Sequence, residues 1–496
     1  MNRRPVLTLE AVRFRYEGAE APALNELTLT VEEGERLAVV GPGGSGKSTL
    51  CRLVTGALAS DPDAGRLEGR IRLRGAARVD GYTAAEAAGR IGSVSQDPET
   101  GLVLDVVEDE LAFGPENMNV PPARIEERID GALSAVGLPR ALREARTAEL
   151  SGGQQQRVAI AAALAMEPLL LVLDDAAANL DADGAATLAE TLRTLHRGGA
   201  TLIETSPRWE AAAEADRVAV LDGGRIVALG TPEDVLSRHA STVRRLGCLP
   251  AVGLEAGEDA SGGACPASGP GPAQPAPDRG VVLEALGLRF AYPGSGGRLA
   301  LRETNAVVRS GDVVGVVGAN GAGKTTFGKL VAGLLPAPPE SLRLLGRPVA
   351  SYSVRELACT VGYVFQRPER QFVAETALEE CAFGLRVARG GSFDAHPEDT
   401  ARAEEALRAF GLGHALDAHP RALPVAEQRL LNLASALILQ PALLVLDEPT
   451  AGLDYAATDR LLAQVATFAG RGGAALVITH DAYALRRFAN RRLTFE

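Results

Sequence analysis

Short apolar runs that end at glycine-rich turns punctuate both halves of the chain. Arg36-Leu-Ala-Val-Val-Gly41 and Asp312-Val-Val-Gly-Val-Val-Gly318 each lead into such a turn, and a helix-like stretch follows. A continuous apolar run without polar alternation predicts a strand buried on both faces, and hence a parallel sheet covered by helices. Leu169-Leu-Leu-Val-Leu-Asp174 and Ala442-Leu-Leu-Val-Leu-Asp447 predict a second buried strand in each half, ending on a carboxylate. Ala-rich helical segments lie between the two strands. The pattern predicts an α/β fold in each half: a parallel sheet with a helical insert.

The same features recur along the chain. Phe14-Arg15-Tyr16 matches Phe290-Ala291-Tyr292, and Gly41–Thr49 (GPGGSGKST) matches Gly318–Thr326 (GANGAGKTT). A near-constant spacing of roughly 275 residues indicates two homologous domains of about 240 and 215 residues, not a short-period solenoid. Between them, Gly253 to Asp278 is rich in Gly, Pro, Ala and Ser and nearly devoid of large apolar residues. Such a segment buries too little surface to offset its ordering entropy, so a flexible linker is expected. The boundaries expected are 1–245 for the first domain, 246–280 for the linker and 281–496 for the second domain.

Charge and cysteine usage narrow the setting. Lys and Arg total 51 against 63 for Asp and Glu, a net charge of −12. That balance argues against a protein that grips nucleic acid, which needs clustered positive charge. Cys51, Cys248, Cys265, Cys359 and Cys381 are scattered with no CxxC pair, which fits a reducing cytoplasm. The first residues lead into strand-like sequence and not into a signal-peptide apolar region. No apolar run approaches the roughly 20 residues that cross a bilayer. If the protein works at a membrane, another chain supplies the spanning part.

Gly41-Pro-Gly43-Gly44-Ser45-Gly46-Lys47-Ser48 and Gly318-Ala-Asn320-Gly321-Ala322-Gly323-Lys324-Thr325 both satisfy G-x-x-x-x-G-K-[ST], each followed by a further threonine, Thr49 or Thr326. The glycines let backbone N–H groups turn inward around a phosphate, and the following helix presents its N-terminus to the same anion. Lys47 and Lys324 are placed to reach the outer phosphates of ATP, and Ser48 and Thr325 to put a hydroxyl on Mg²⁺. Asp174 and Asp447 end strands downstream, as a second Mg²⁺-organising carboxylate requires.

Leu150-Ser151-Gly152-Gly153-Gln154 lies between the first P-loop and Asp174. On this segment the chain resembles the ATP-binding cassette (ABC) ATPases, across essentially all of both halves. The resemblance implies a parallel-sheet core, an antiparallel β subdomain and a helical subdomain in each half. It implies adenine stacking on Tyr16 and Tyr292, Q-loop glutamines that reach the metal and the reacting water at Gln96 and Gln366, and a D-loop at Asn179-Leu180-Asp181 and at Gly452-Leu453-Asp454. His480 matches the switch histidine, and Ser151, Gly152, Gly153 and Gln154 match the signature that faces nucleotide. In that family two cassettes pack head to tail, each ATP lying between one Walker A motif and the other cassette's signature.

The halves are unequal. Asp447-Glu448-Pro-Thr places a Glu where it can polarise the attacking water, a contribution of about 10²–10⁴ in rate. The first half reads Asp174-Asp175-Ala-Ala, so its carboxylate falls about 1.5 Å short. Aligned by sequence, Glu204-Thr205-Ser206 corresponds to Ile478-Thr479-His480, which puts Ser206 in place of the imidazole. The signature decays the other way: Leu423-Pro424-Val425-Ala426-Glu427 replaces Leu-Ser-Gly-Gly-Gln. Proline removes a donor, and the added side chains crowd a phosphate that glycines would admit. Under head-to-tail pairing, one composite site keeps every part (Lys324, Thr325, Asp447, Glu448 and His480 with Ser151, Gly152 and Gly153), and the other collects all the losses. The expectation is one hydrolytic and one ATP-holding site.

After the Q-loop, Gln366-Arg-Pro-Glu-Arg-Gln371 with Ala382-Phe383-Gly384, and Gln96-Asp-Pro-Glu with Ala112-Phe113-Gly114, resemble ATPase subunits of energy-coupling factor (ECF) importers, including cobalt-type ones. That implies a transmembrane T component, a small S component that binds a vitamin or metal ion, and a place on the cytoplasmic face of the cell membrane. Tandem ABC ATPases of the translation machinery usually have a charged helical linker and two intact signatures. A DNA-repair ATPase would carry a long coiled-coil insertion. A non-hydrolysing ATP-gated scaffold is the third alternative, separated by phosphate release.

Overall fold

In this computed structural model the described residues are 4–61, 63–74, 82–96, 101–178, 180–251, 280–294, 296–390 and 396–495. They form two compact units that change over near Gly253. In the first, β1 (Pro5–Tyr16), β2 (Leu24–Glu32), β3 (Arg36–Val40), α1 (Lys47–Val54), β4 (Gly65–Leu73), α2 (Ala84–Ala87) and β5 (Ile91–Val94) precede a helical region. That region holds α3 (Val107–Asn117), α4 (Pro122–Ala135) and α5 (Gly152–Ala165). The chain returns through β6 (Leu170–Asp174), α6 (Ala182–Arg197), β7 (Leu202–Ser206), β8 (Arg217–Asp222), β9 (Arg225–Gly230) and α7 (Pro232–Arg245).

The central sheet has the order β5-β6-β7-β3-β8-β9, parallel except for β9. Its inner strand β3 is buried at every position: Leu37 to Val40 form the apolar run, and Arg36 is paired with Glu204 (2.8 Å). A separate antiparallel sheet, β2-β1-β4, packs Leu7, Leu9 and Phe14 against Leu50 and Leu53 of α1. The helical region has its own core, in which Leu111 of α3, Ile129 and Leu133 of α4 and Ile160 of α5 meet. Packing continues beyond α7: Cys248 is fully buried and Leu246 and Leu249 lie against the core around Val235 and Val243. The segment expected as linker from residue 246 thus starts with a packed stretch, because its apolar side chains fit beside α7. Residues 252–279 of it, with Cys265, lie outside the described residues.

The second unit repeats the plan with β10 (Val281–Ala291), β11 (Leu299–Arg309), β12 (Val313–Gly318), α8 (Lys324–Val331), β13 (Leu342–Leu344), β14 (Arg347–Pro348), α9 (Val354–Thr360) and β15 (Val361–Val364). Helices α10 (Ala377–Arg389), α11 (Pro397–Ala409) and α12 (Val425–Leu437) form its helical region. Then come β16 (Leu443–Asp447), α13 (Tyr455–Gly470), β17 (Ala474–Ile478), α14 (Ala482–Phe488) and β18 (Arg491–Phe495). The core sheet β15-β16-β17-β12-β18 is entirely parallel, beside the antiparallel sheet β11-β10-β13-β14. The three-part architecture expected of each half is present in both. Each P-loop and each strand-ending Asp falls at the carboxyl end of parallel strands, where α/β folds bind ligands.

Candidate active site

Both P-loops leave the sheet at the end of β3 or β12 and enter α1 or α8 at the lysine. Gly46 and Gly323 sit at φ 102° and 93°, a left-handed conformation that side chains avoid. A Cβ there would also come within 2.5 Å of Ala23 O and 2.4 Å of Ala300 O. On the outer rim, a Cβ at Gly44 or Gly321 meets nothing within 4 Å, so the loop is tight beneath and open above. Lys47 Nζ donates to Gly41 O (2.6 Å) and Pro42 O (2.8 Å), and Lys324 Nζ to Gly318 O (2.7 Å) and Ala319 O (2.8 Å). Burial pulls the Lys47 ammonium below its ordinary value, against the attraction of Asp175.

Beside each loop stands a tyrosine. The Tyr16 and Tyr292 hydroxyls lie 3.1 and 3.3 Å from Thr49 Oγ1 and Thr326 Oγ1. Their rings pack edge-on against Phe14 and Phe290 at 5.0 and 5.2 Å. In the second unit Tyr292, Arg298, Asn320 and Gly321 line a cleft of about 950 Å³, room enough for a nucleotide.

The strand-ending carboxylates have different partners. Thr325 Oγ1 donates to Asp447 Oδ1 (3.1 Å) and the Tyr363 hydroxyl to Asp447 Oδ2 (3.2 Å). Hydroxyl and carboxylate side by side offer the hard oxygen donors that a Mg²⁺ ion would take. Burial raises the Asp447 carboxyl, while the bonds from Thr325 and Tyr363 pull it down. In the first unit Asp174 Oδ1 accepts instead from Thr205 Oγ1 (2.7 Å), and Ser48 is exposed at the start of α1. Tyr363 was not singled out in the sequence, where it reads as one more apolar residue of a strand. Its first-unit counterpart by strand register is Ser93.

Immediately after these carboxylates, Asp175 and Glu448 adopt φ 48° and 45°. Left-handed backbone at a residue with a side chain costs about 1–3 kcal/mol, and both units retain it. Glu448 N donates to Ile478 O (2.8 Å), and Glu448 Oε1 lies 3.5 Å from His480 Nε2. Burial first, and Asp447 second, lift the Glu448 carboxyl to about 7, against hydrogen bonds from Thr479 and the His480 backbone. A carboxylate so placed can accept a proton from water near neutral pH. Burial likewise lifts Asp175 to about 7, with Lys47 acting against it.

Strand register corrects one correspondence. Asp447 pairs with Ile478, whereas Asp174 pairs with Thr205. Asp175 N donates to Thr205 O as Glu448 N does to Ile478 O. Arg208 N donates to Ser206 Oγ as Asp481 N does to Thr479 Oγ1. Ser206 is therefore the counterpart of Thr479, and Pro207, not Ser206, occupies the position of His480. In sequence Thr205-Ser206 reads like Thr479-His480, because each Thr stands at the end of a short strand, and only the strand pairing reveals the shift of one. The first unit has a residue there without a side-chain donor or acceptor.

The signature segment 150–154 opens α5. Ser151 Oγ accepts from Gln154 N (3.3 Å) and Gln154 Oε1 from Ser151 N (3.0 Å), a reciprocal cap. Gly152 and Gly153 begin the helix with no side chain above them. In the second unit Pro424 precedes α12 with no side-chain cap, and Val425 is exposed there. Asp181 caps α6 through Gly184 N (2.7 Å), Asp454 stands just ahead of α13, and Asn179 lies outside the described residues. Gln96 and Gln366 each follow the last residue of β5 or β15 by two positions and are half-buried. Residues 97–100 are outside the described set.

The family model described as ABC transporter matches residues 24–178 and 301–451, more than half of the chain. A Bifidobacterium longum protein provisionally named an ABC transporter ATP-binding protein is 35% identical over 97% of this chain, which spans 64% of that relative's length. Bacillus subtilis YkoD, whose name provisionally assigns it HMP/thiamine import as an ATP-binding protein, is 32% identical over 98% of this chain and 89% of its own. A solved structure of cbiO1 from Clostridium perfringens, described as part of the ABC transporter complex cbiONQ, is 30% identical over 49% of this chain and 94% of that one, with a TM-score of 0.43. The chain belongs to the ABC transporter ATP-binding family, as a tandem pair of cassettes of the Mg²⁺-dependent, ATP-hydrolysing class.

Proposed function

We propose that this chain powers an ECF-type importer of a vitamin or metal ion, as a peripheral subunit on the cytoplasmic face of the membrane, and that it hydrolyses ATP at one site while holding it at the other. The hydrolytic site joins Lys324, Thr325, Asp447, Glu448, Gln366 and His480 to the signature Ser151-Gly152-Gly153-Gln154. Glu448 takes the proton of the attacking water, His480 contacts the γ-phosphate, and Thr325 and Asp447 hold Mg²⁺. The observation that carries this reading is the division of parts. The unit with Glu448 and His480 has lost its signature, and the unit with Asp175 and Pro207 has kept one. ATP that binds one arrangement of the cassettes better than another drives the conformational change, and hydrolysis resets it.

The import reading is supported by a feature that both units share after the Q-loop. Glu110 Oε2 accepts from Val103 N (2.9 Å) and Leu104 N (2.7 Å), and Glu380 Oε2 from Val373 N (2.8 Å) and Ala374 N (2.9 Å). Each buried glutamate thus fixes a loop whose valine is left 71% (Val103) or 66% (Val373) exposed. In the second unit Val373 borders an apolar groove of about 590 Å³ with Leu334, Val354, Phe365 and Phe383. Exposed apolar surface on a rigid frame suits a helix of a membrane component. Among the described residues no helix is long and apolar enough to cross a membrane. The YkoD relative is named for HMP/thiamine import, which favours a vitamin-related cargo.

The test is co-expression with a T component of an ECF importer from the same genome, followed by detergent purification. An integral membrane protein should be retained in stoichiometric amount, and Val103→Asp with Val373→Asp should release it with ATP binding unchanged. Sedimentation of the chain with ribosomes instead would favour the translation-factor reading.

A further inference from the structure

The decayed signature helix of the second unit carries a buried cation. Arg429 lies on α12 and is only 5% exposed. Its Nη1 donates to Glu448 O (2.9 Å) and its Nη2 to Ala451 O (2.9 Å). Those carbonyls are the two ends of the turn that begins at Glu448, closed by Ala451 N to Glu448 O at 3.4 Å. A planar guanidinium donating to both ends fixes the turn as a unit. Glu448 is the residue in this turn with left-handed backbone, at φ 45°. Conformations of that kind persist only when their surroundings over-determine them.

The other unit supplies an internal comparison. Helix α5 places Gln156 at the position of Arg429, in step with Gln155 and Gln428, whose side chains donate to Thr147 O and Leu423 O respectively. Gln156 is 1% exposed, and among the described residues neither of its side-chain polar atoms has a hydrogen-bond partner. The clamp therefore accompanies Glu448 and His480, and the unit with Asp175 and Pro207 lacks it.

We propose that Arg429 is a positioning residue for Glu448: it clamps the 448–451 turn through two carbonyls and so fixes where the Glu448 carboxylate points. On this account α12, the signature helix of the second unit, serves the catalytic loop of its own unit. The inference rests on the reading of Glu448 as the base in the hydrolytic site. Misplacing such a group by about 1 Å can cost on the order of 10²-fold in rate, with substrate binding untouched.

The test uses the full chain, with kcat and KM for ATP hydrolysis and a separate Kd for Mg²⁺-ATP. Arg429→Gln, which installs the residue the first unit already buries at this position, should lower kcat by about 10- to 100-fold while KM and Kd stay within about twofold. Arg429→Lys keeps a cation with donors for the turn but not the planar fork, and should recover part of the kcat that Arg429→Gln loses. Unchanged kcat in Arg429→Gln would overturn the proposal. So would a parallel fall of kcat and ATP affinity in both variants, the mark of a purely structural residue. If Glu448→Gln itself turns over normally, the reading of Glu448 fails. If Glu448→Gln is inactive and Arg429→Gln is normal, only the clamp fails.

Discussion

Glu448→Gln should lower steady-state ATP hydrolysis by about 10²–10⁴-fold, and Asp175→Asn should change it by less than about twofold. The two residues occupy the same left-handed position after a strand-ending aspartate, and burial lifts both carboxyls to about 7. Neither their backbone nor their ionisation separates them. What separates them is reach and company. Glu448 is longer by one methylene and lies 3.5 Å from His480, whereas Pro207 stands where that imidazole would be. Gln preserves the shape of Glu448 and the capacity to hold nucleotide, so Kd for ATP should stay near the parent value in both variants. Comparable losses of turnover from the two substitutions would contradict the division of labour.

The second large effect is expected at two glycines that carry no side chain for chemistry, Gly152 and Gly153. Gly152→Val with Gly153→Ala, which copies Val425 and Ala426 of the other unit, should reduce hydrolysis by at least about 100-fold, the scale of removing donors aimed at developing charge. Within their own unit these positions have space. A Cβ on Gly152 meets nothing within 4 Å, and one on Gly153 comes no closer than 3.7 Å, to Gly184 Cα. Replacing helical glycine also favours the helix by up to about 1 kcal/mol for Ala, so the variant should unfold no earlier than the parent. Loss of turnover at undiminished melting temperature would locate the damage at the nucleotide and not in the fold. Retained turnover would mean that the hydrolytic site does not use this signature.

Much of this was legible in the sequence, for reasons that differ from part to part. The buried strands were readable because β3, β6, β12 and β16 are unbroken apolar runs, and a strand covered on both faces leaves no polar alternation to misread. The P-loops were readable because φ values such as 102° at Gly46 and 93° at Gly323 require glycine, which makes the spacing rigid. The switch position was misassigned by one residue, since Thr205-Ser206 imitates Thr479-His480 and only the pairing of Asp174 with Thr205 reveals the shift. Tyr363 and Arg429 escaped notice because their partners lie 84 and 19 residues away. Nothing in the local pattern of β15 or α12 marks either as a neighbour of Asp447 or Glu448. The packed stretch 246–249 was absorbed into the linker because the Gly- and Pro-rich composition that follows hides three apolar side chains.

Whether one ATP is hydrolysed while the other is held can be read by loading the chain with radiolabelled Mg²⁺-ATP. The reaction is trapped after a single turnover with vanadate, and the nucleotide retained on each chain is then separated. About one ADP and one intact ATP per chain are expected, and two intact ATP for Glu448→Gln. Recovery of ADP alone, with both bound nucleotides cleaved at similar rates, would contradict that division.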